Sequence, residues 1–159
     1  MDFTKELDMC TQHFLCSKHR TQLSNNLIKA VECFFVNMKT ANALYQSGRY
    51  NEAFPHAGCA VETAKLILKV ENIDTANALL YFTQAIILTA QIQEKRLQLS
   101  GAHQLIHQAI LRLKHNIHVA PGTLSVCLEE LYSTQIQLPG NPARHDTGIS
   151  KHPHLHAVH

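Results

Sequence analysis

From Leu23 to about Gln137, apolar residues return every third or fourth position without sustained alternation, and Gly and Pro are confined to a few places. That period belongs to helices packed through one face, so the chain reads as all-α. LSNNLIKAVECFFVNMKTANALYQSG predicts a first long helix, capped by Ser24 or Asn25 and ended by Gly48. Its buried stripe is Leu27, Val31, Phe34, Phe35, Met38, Ala41 and Leu44 or Tyr45. YNEAFPHAGCAVETAKLILKVEN predicts a second, with Ala53, Ala57, Ala60, Ala64 and Ile67 or Leu68 on one face. Pro55 fits a helix best in its first turn, which places the start near residues 51–54.

IDTANALLYFTQAIILTAQIQEK predicts a third helix, capped by Asp74 or Thr75 and apolar over an arc wide enough to be central. A strip left over on it would make a homodimer seam. SGAHQLIHQAILRLKHNI gives a fourth, with Ala102, Leu105, Ile106, Ala109, Ile110 and Leu113 on one face. TLSVCLEELYSTQIQ gives a shorter fifth, capped by Thr123, with Leu124, Cys127, Leu128 and Leu131 turned inward. The segment from Phe3 to about Arg20 forms another. Short links make neighbours antiparallel, so the expectation is helical hairpins in an up-down bundle of five to six helices, one domain over residues 1–137. Residues 138–159 hold three of the five prolines and five of the twelve histidines with almost no apolar period, and are expected to be a disordered tail.

Composition narrows the function. A formal charge of +2, with no Lys/Arg run longer than Lys95-Arg96, gives no surface for tracking phosphates, so no nucleic acid is expected. The twelve histidines would make the surface strongly cationic near pH 6. The start, MDFTKELDMCTQ, lacks the order of a secretory signal, and AIILTA, the longest apolar stretch, falls short of a membrane span. Five cysteines cannot all pair, and Cys33, Cys59 and Cys127 sit among apolar residues as free thiols do. The expectation is a soluble cytoplasmic protein.

Four identities recur at an offset of 49: Thr40 with Thr89, Ala41 with Ala90, Ala53 with Ala102 and Ala60 with Ala109. Small residues at such positions let paired helices approach closely, which reads as two stacked hairpins. TANALYQSGRYNEAFPHAGCA resembles a tetratricopeptide repeat, with Ala41, Gly48, Tyr50, Ala53 and Ala60 on the family's small, turn and aromatic positions. The likeness covers about 34 residues. Asn37 stands where an early bulky aromatic is usual, and Lys65 replaces the closing proline. The order and length of the helices over residues 23–117 also resemble the flagellin-type export chaperones, small four-helix bundles that hold a secretion substrate. Both resemblances imply an adaptor or chaperone that grips another protein or peptide on a helical surface. From the repeat family, Phe35, Met38, Asn42, Tyr45 and Gln46 would line the groove; the lysine used by family members to grasp a terminal carboxylate is absent, Met38 standing in its place.

Three motifs compete with that reading. In CTQHFLCSKH, Cys10, His13, Cys16 and His19 stand three apart like zinc ligands, but on a continuous helix each step drifts by roughly 60°, so Cys10 and His19 end on opposite sides. A helix with buried Cys and exposed His is expected instead of a metal site. In AHQLIHQA, His103 and His107 share a face, yet Gln104 supplies no base where zinc hydrolases carry glutamate. The same letters resemble the phosphoacceptor helix of histidine phosphotransfer domains, which would make His103 the acceptor; Ile106 and His107 replace that family's Lys and Gly. The simpler expectation is a solvated edge of His103, His107, Lys114 and His118. KHPHLHAVH will bind nickel or zinc weakly whatever its purpose. With no nucleophile elbow, phosphate loop or paired carboxylates, no catalytic centre and no cofactor is nominated.

Overall fold

The computed structural model describes residues 13–70, 74–115 and 120–140, and within them the chain is all-α. Six helices follow one another: α1 Ser17–Ser24, α2 Leu27–Gln46, α3 Tyr50–Leu68, α4 Thr75–Lys95, α5 Leu99–Lys114 and α6 Pro121–Gln137. Each of α2 to α5 packs on the next, α6 closes against both α4 and α5, and α1 lies across α2 and α3. The three-residue links within the pairs α2/α3 and α4/α5 leave only an antiparallel return.

Caps decide where helices begin. Three cap-competent residues stand in a row, and the third is used: the Asn26 side chain accepts from the Lys29 amide at 3.0 Å. Ser24 is already committed to α1, its hydroxyl donating to the Arg20 carbonyl at 2.8 Å, which is why the start falls later than either expected cap. Asp74 caps α4 as expected, accepting from the Asn77 amide at 3.3 Å. Thr123 does not cap α6. The helix starts at Pro121, whose fixed φ pre-sets a first turn and whose missing N–H costs nothing there, with Ala120 as the left-handed flanking residue at φ 45°.

The first hairpin turns on Gly48, at φ 76°. Its amide donates to the Tyr45 carbonyl at 3.0 Å and the Arg49 amide to the Leu44 carbonyl at 2.9 Å, the paired bonds that close a helix on a left-handed residue. The turn fixes the re-entry point, so α3 starts at Tyr50 and Pro55 lies one turn further in than its first-turn preference predicts. Tight burial of Ala53, Phe54 and Ala57 around it offsets the lost backbone bond. The second hairpin repeats the device: the Leu97 amide donates to Glu94 at 2.9 Å and the Gln98 amide to Gln93 at 2.8 Å. Here the left-handed residue is a leucine, φ 59°, almost wholly exposed. Gln46 and Lys95 end the first helices of the two hairpins, and Tyr50 and Leu99 start the second, each pair 49 apart.

Burial follows that repeat. Ala41 and Ala90, Ala53 and Ala102, and Ala60 and Ala109 are all buried, at the crossings where a larger side chain would hold the helices apart. The main core gathers Phe34, Ile67, Leu79, Phe82, Ile86, Ile106, Leu113 and Leu131; a second cluster joins Ala41, Ala53, Phe54, Ala57, Leu88 and Ile92. α4 is central, and none of the exposed large apolar side chains lies on it; of the strip expected there as a dimer seam, Leu80, Tyr81 and Ile87 remain partly exposed. Phe35, expected in the buried stripe, is 50% exposed. Leu138, the first residue of the expected tail, is 2% exposed and belongs to the core; residues 141–159, and with them KHPHLHAVH, lie outside the described residues.

Residues 13–16 depart from the expected N-terminal helix. They are not helical, and Cys16 only flanks α1. Their backbone is taken by a carboxylate far along the chain: Phe14 N–H and Leu15 N–H donate to the two Glu62 oxygens at 2.8 and 3.0 Å, and Arg20 Nη2 joins at 3.2 Å. The Phe14 ring sits over Gly58, where a Cβ would overlap it, and meets Phe54 edge-on at 5.3 Å. A short strap thus lies across α3.

Candidate functional site

The residues expected to grip a partner come together on one side of α2. Phe35 is half exposed, with its ring edge-on to Tyr81 of α4 at 5.2 Å; Phe34 beneath it meets the same tyrosine at 4.9 Å. Met38 is half-buried and packs against both apolar clusters, so it supports the surface more than it presents one. Asn42 is exposed, and its Nδ2 donates to the Met38 carbonyl at 3.0 Å. Tyr45 leans on Tyr50, ring centres 5.5 Å apart, and Gln46 is exposed at the helix end. No local pattern points to Tyr81, yet its ring packs edge-on against Phe35; an aromatic one helix pair away is visible only once α2 and α4 adjoin.

Beyond α4 the surface continues to α6. Ile87, Val126, Glu129, Glu130, Ser133 and Thr134 line an open depression of about 460 Å³. An apolar floor beside two exposed carboxylates suits a chain carrying apolar and cationic side chains.

The histidine motifs fall elsewhere. His103 is half-buried on α5, and its Nε2 donates to the Pro139 carbonyl at 2.8 Å, tying α5 to the turn after α6. Phosphoryl transfer to that nitrogen requires the turn to leave first. His107 is exposed beside it, Lys114 lies over the Tyr132 ring at 5.4 Å, and His118 is outside the described residues. His103, His107 and Lys114 thus share one edge of α5, three of the four residues of the solvated flank expected, with His103 half-buried.

Of the early motif, Cys10 lies outside the described residues. His13 turns to Arg20 at 2.8 Å and stands 3.8 Å from Glu62, whereas Cys16 Sγ meets His19 Nδ1 at 3.1 Å. Cys16 is exposed, not buried as the helical reading had it, because the strap lifts residues 13–16 off the helix. No group of three or more His, Cys, Asp or Glu positioned to hold a metal occurs among the described residues. No described helix is long and apolar enough to cross a membrane. Compared with family models, with curated proteins and with solved structures, the chain matches none.

Proposed function

We propose that this protein is a non-catalytic interaction module, a tetratricopeptide-like adaptor or chaperone that holds a polypeptide along α2 and α4. The observation that carries the reading is Phe35: half its area faces solvent although two aromatic rings, Phe34 and Tyr81, fix its orientation. An aromatic side chain held rigid and left uncovered contributes contact area to a partner with little ordering entropy. Two hairpins of equal register support the repeat-like reading, since stacked units of this kind present their first helices on a common side. All four described cysteines are free, which supports a reducing compartment such as the cytosol.

Photo-crosslinkers placed at Asn42 and Gln46 test this in the native host. One dominant polypeptide captured at both positions, lost with Phe35→Ala and not captured from Ser100 on α5, is the expected result. Equal capture at Ser100, or capture indifferent to Phe35→Ala, would remove the proposal.

A further inference from the structure

The outer face of α2, turned away from α3 and α4, carries side chains that a terminal helix in a stack of hairpins should not show. Ile28 is 73% exposed and Val36 65%, and Phe35 borders them. End units of stacked hairpins stay soluble through a polar outer face. With about 100° per residue, Ile28, Glu32, Phe35, Val36, Lys39 and Ala43 fall within an arc of roughly 100°, one strip along the helix. Glu32 and Lys39, both exposed, form no ion pair among the described residues.

The order of this strip is its own complement. Turned end for end about a point midway between Phe35 and Val36, it sets Phe35 on Val36, Glu32 on Lys39 and Ile28 on Ala43. We infer that a second copy of this chain docks here, α2 against α2, antiparallel about a two-fold axis. An isologous contact requires such pairing, because each residue must meet its counterpart twice. Both copies then gain two Glu32 to Lys39 pairs flanking an apolar centre. The end of the strip agrees: Val36, Ala43 and Leu44, together with Lys39 and Arg49, line an open depression of about 650 Å³, where Ile28 of the second copy arrives. A foreign helix would need no such symmetry. Phe35 is shared with the proposed partner surface, whereas Glu32 and Lys39 belong to the strip alone.

Light scattering on the full chain over a range of concentrations reads the association. The expected mass rises with concentration toward about 36 kDa, twice the 17.9 kDa chain. Glu32→Lys and Lys39→Glu each place like charges opposite one another at two symmetry-related positions and should weaken the dimer about tenfold or more. Mixing the two variants should restore it as a heterodimer, because every facing pair is then opposite in sign, and the double variant should restore the homodimer. Both substitutions are at exposed positions, and helical circular dichroism confirms that the chain remains folded. A chain that stays monomeric at every concentration, or a dimer indifferent to either reversal, or one that mixing and the double variant fail to rescue, overturns the inference. Phe35 lies in both contacts, so the second copy and the polypeptide compete for it: variants that weaken the dimer should leave crosslinking from Asn42 and Gln46 unchanged or raise it, whereas failure of the partner surface abolishes that capture with the dimer intact.

Discussion

Gly58→Ala sets two effects of opposite sign against each other. Gly58 lies in the interior of α3, where alanine favours the helix by about 1 kcal/mol. The added methyl would occupy the space of the Phe14 ring, which cannot slide aside while the Phe14 and Leu15 amides stay bonded to Glu62. Undocking the strap forfeits about 1.5 kcal/mol for the half-buried Phe14 ring, about 1.5 for Leu15, and about 1.5 to 3 for each amide held by a carboxylate. Ordering four strap residues costs about 1 to 2 kcal/mol apiece, so net docking is worth only a few kcal/mol. One overlapping methyl is enough to reverse it. Contacts between the helices are kept, Phe54 losing only the Phe14 ring, and the melting temperature should move by no more than a few degrees. Hydrogen exchange at the Phe14 and Leu15 amides is the assay: protection should fall about a hundredfold in the variant, with trypsin cutting sooner at Lys18 and Arg20. Unchanged protection in folded Gly58→Ala would mean that the Phe14 ring and the new methyl fit together after all, and Glu62→Gln should release the same amides without touching α3 propensity.

Three further outcomes are expected. Leu97→Gly removes a left-handed strain of about 1 to 2 kcal/mol from an exposed side chain and adds about 0.4 to 1 of unfolded-state entropy, so chemical denaturation should show a gain of about 0.5 kcal/mol, and a loss would refute it. Thr83 is fully buried, and its hydroxyl has no well-formed hydrogen bond among the described residues, only the weakly interacting Cys127 thiol beside it; Thr83→Val should stabilise by about 1 kcal/mol in the same assay. Burial first, then Cys33 and Glu62, pushes the Cys59 thiol above its ordinary value of 9.0, so its contribution to stability is fully present below that pH and lost as pH rises through the folded value. Iodoacetamide at pH 8 should therefore label exposed Cys16 at least about tenfold faster than Cys59; equal rates would count against it.

Local signals made most of the helices legible. The three-and-four spacing located α2 to α6, Asp74 announced a start, Gly48 an end, and the alanines at the 49-residue offset marked the crossings that are buried. Pro121 carried the true start of α6, but a threonine two residues later offered the more familiar cap. Leu97 was illegible in principle, since leucine carries no preference for positive φ and only the two hydrogen bonds of the turn impose it. The strap was illegible for another reason: Phe14 and Glu62 are 48 residues apart, and no local pattern ties an amide to a carboxylate at that distance. On the candidate surface, Phe35 was nominated by family likeness and misread by periodicity as buried; Tyr81, which decides its exposure, belongs to another helix.

The two hairpin turns are locked in length, because inserting a residue into either would break both of its closing hydrogen bonds. The link between α3 and α4, residues 69–74, is twice the length of either turn and joins two halves in the same register. An extra hairpin spliced into that link should therefore extend the stack by one more storey, making the molecule a template that can be lengthened by whole units but resists trimming at its corners.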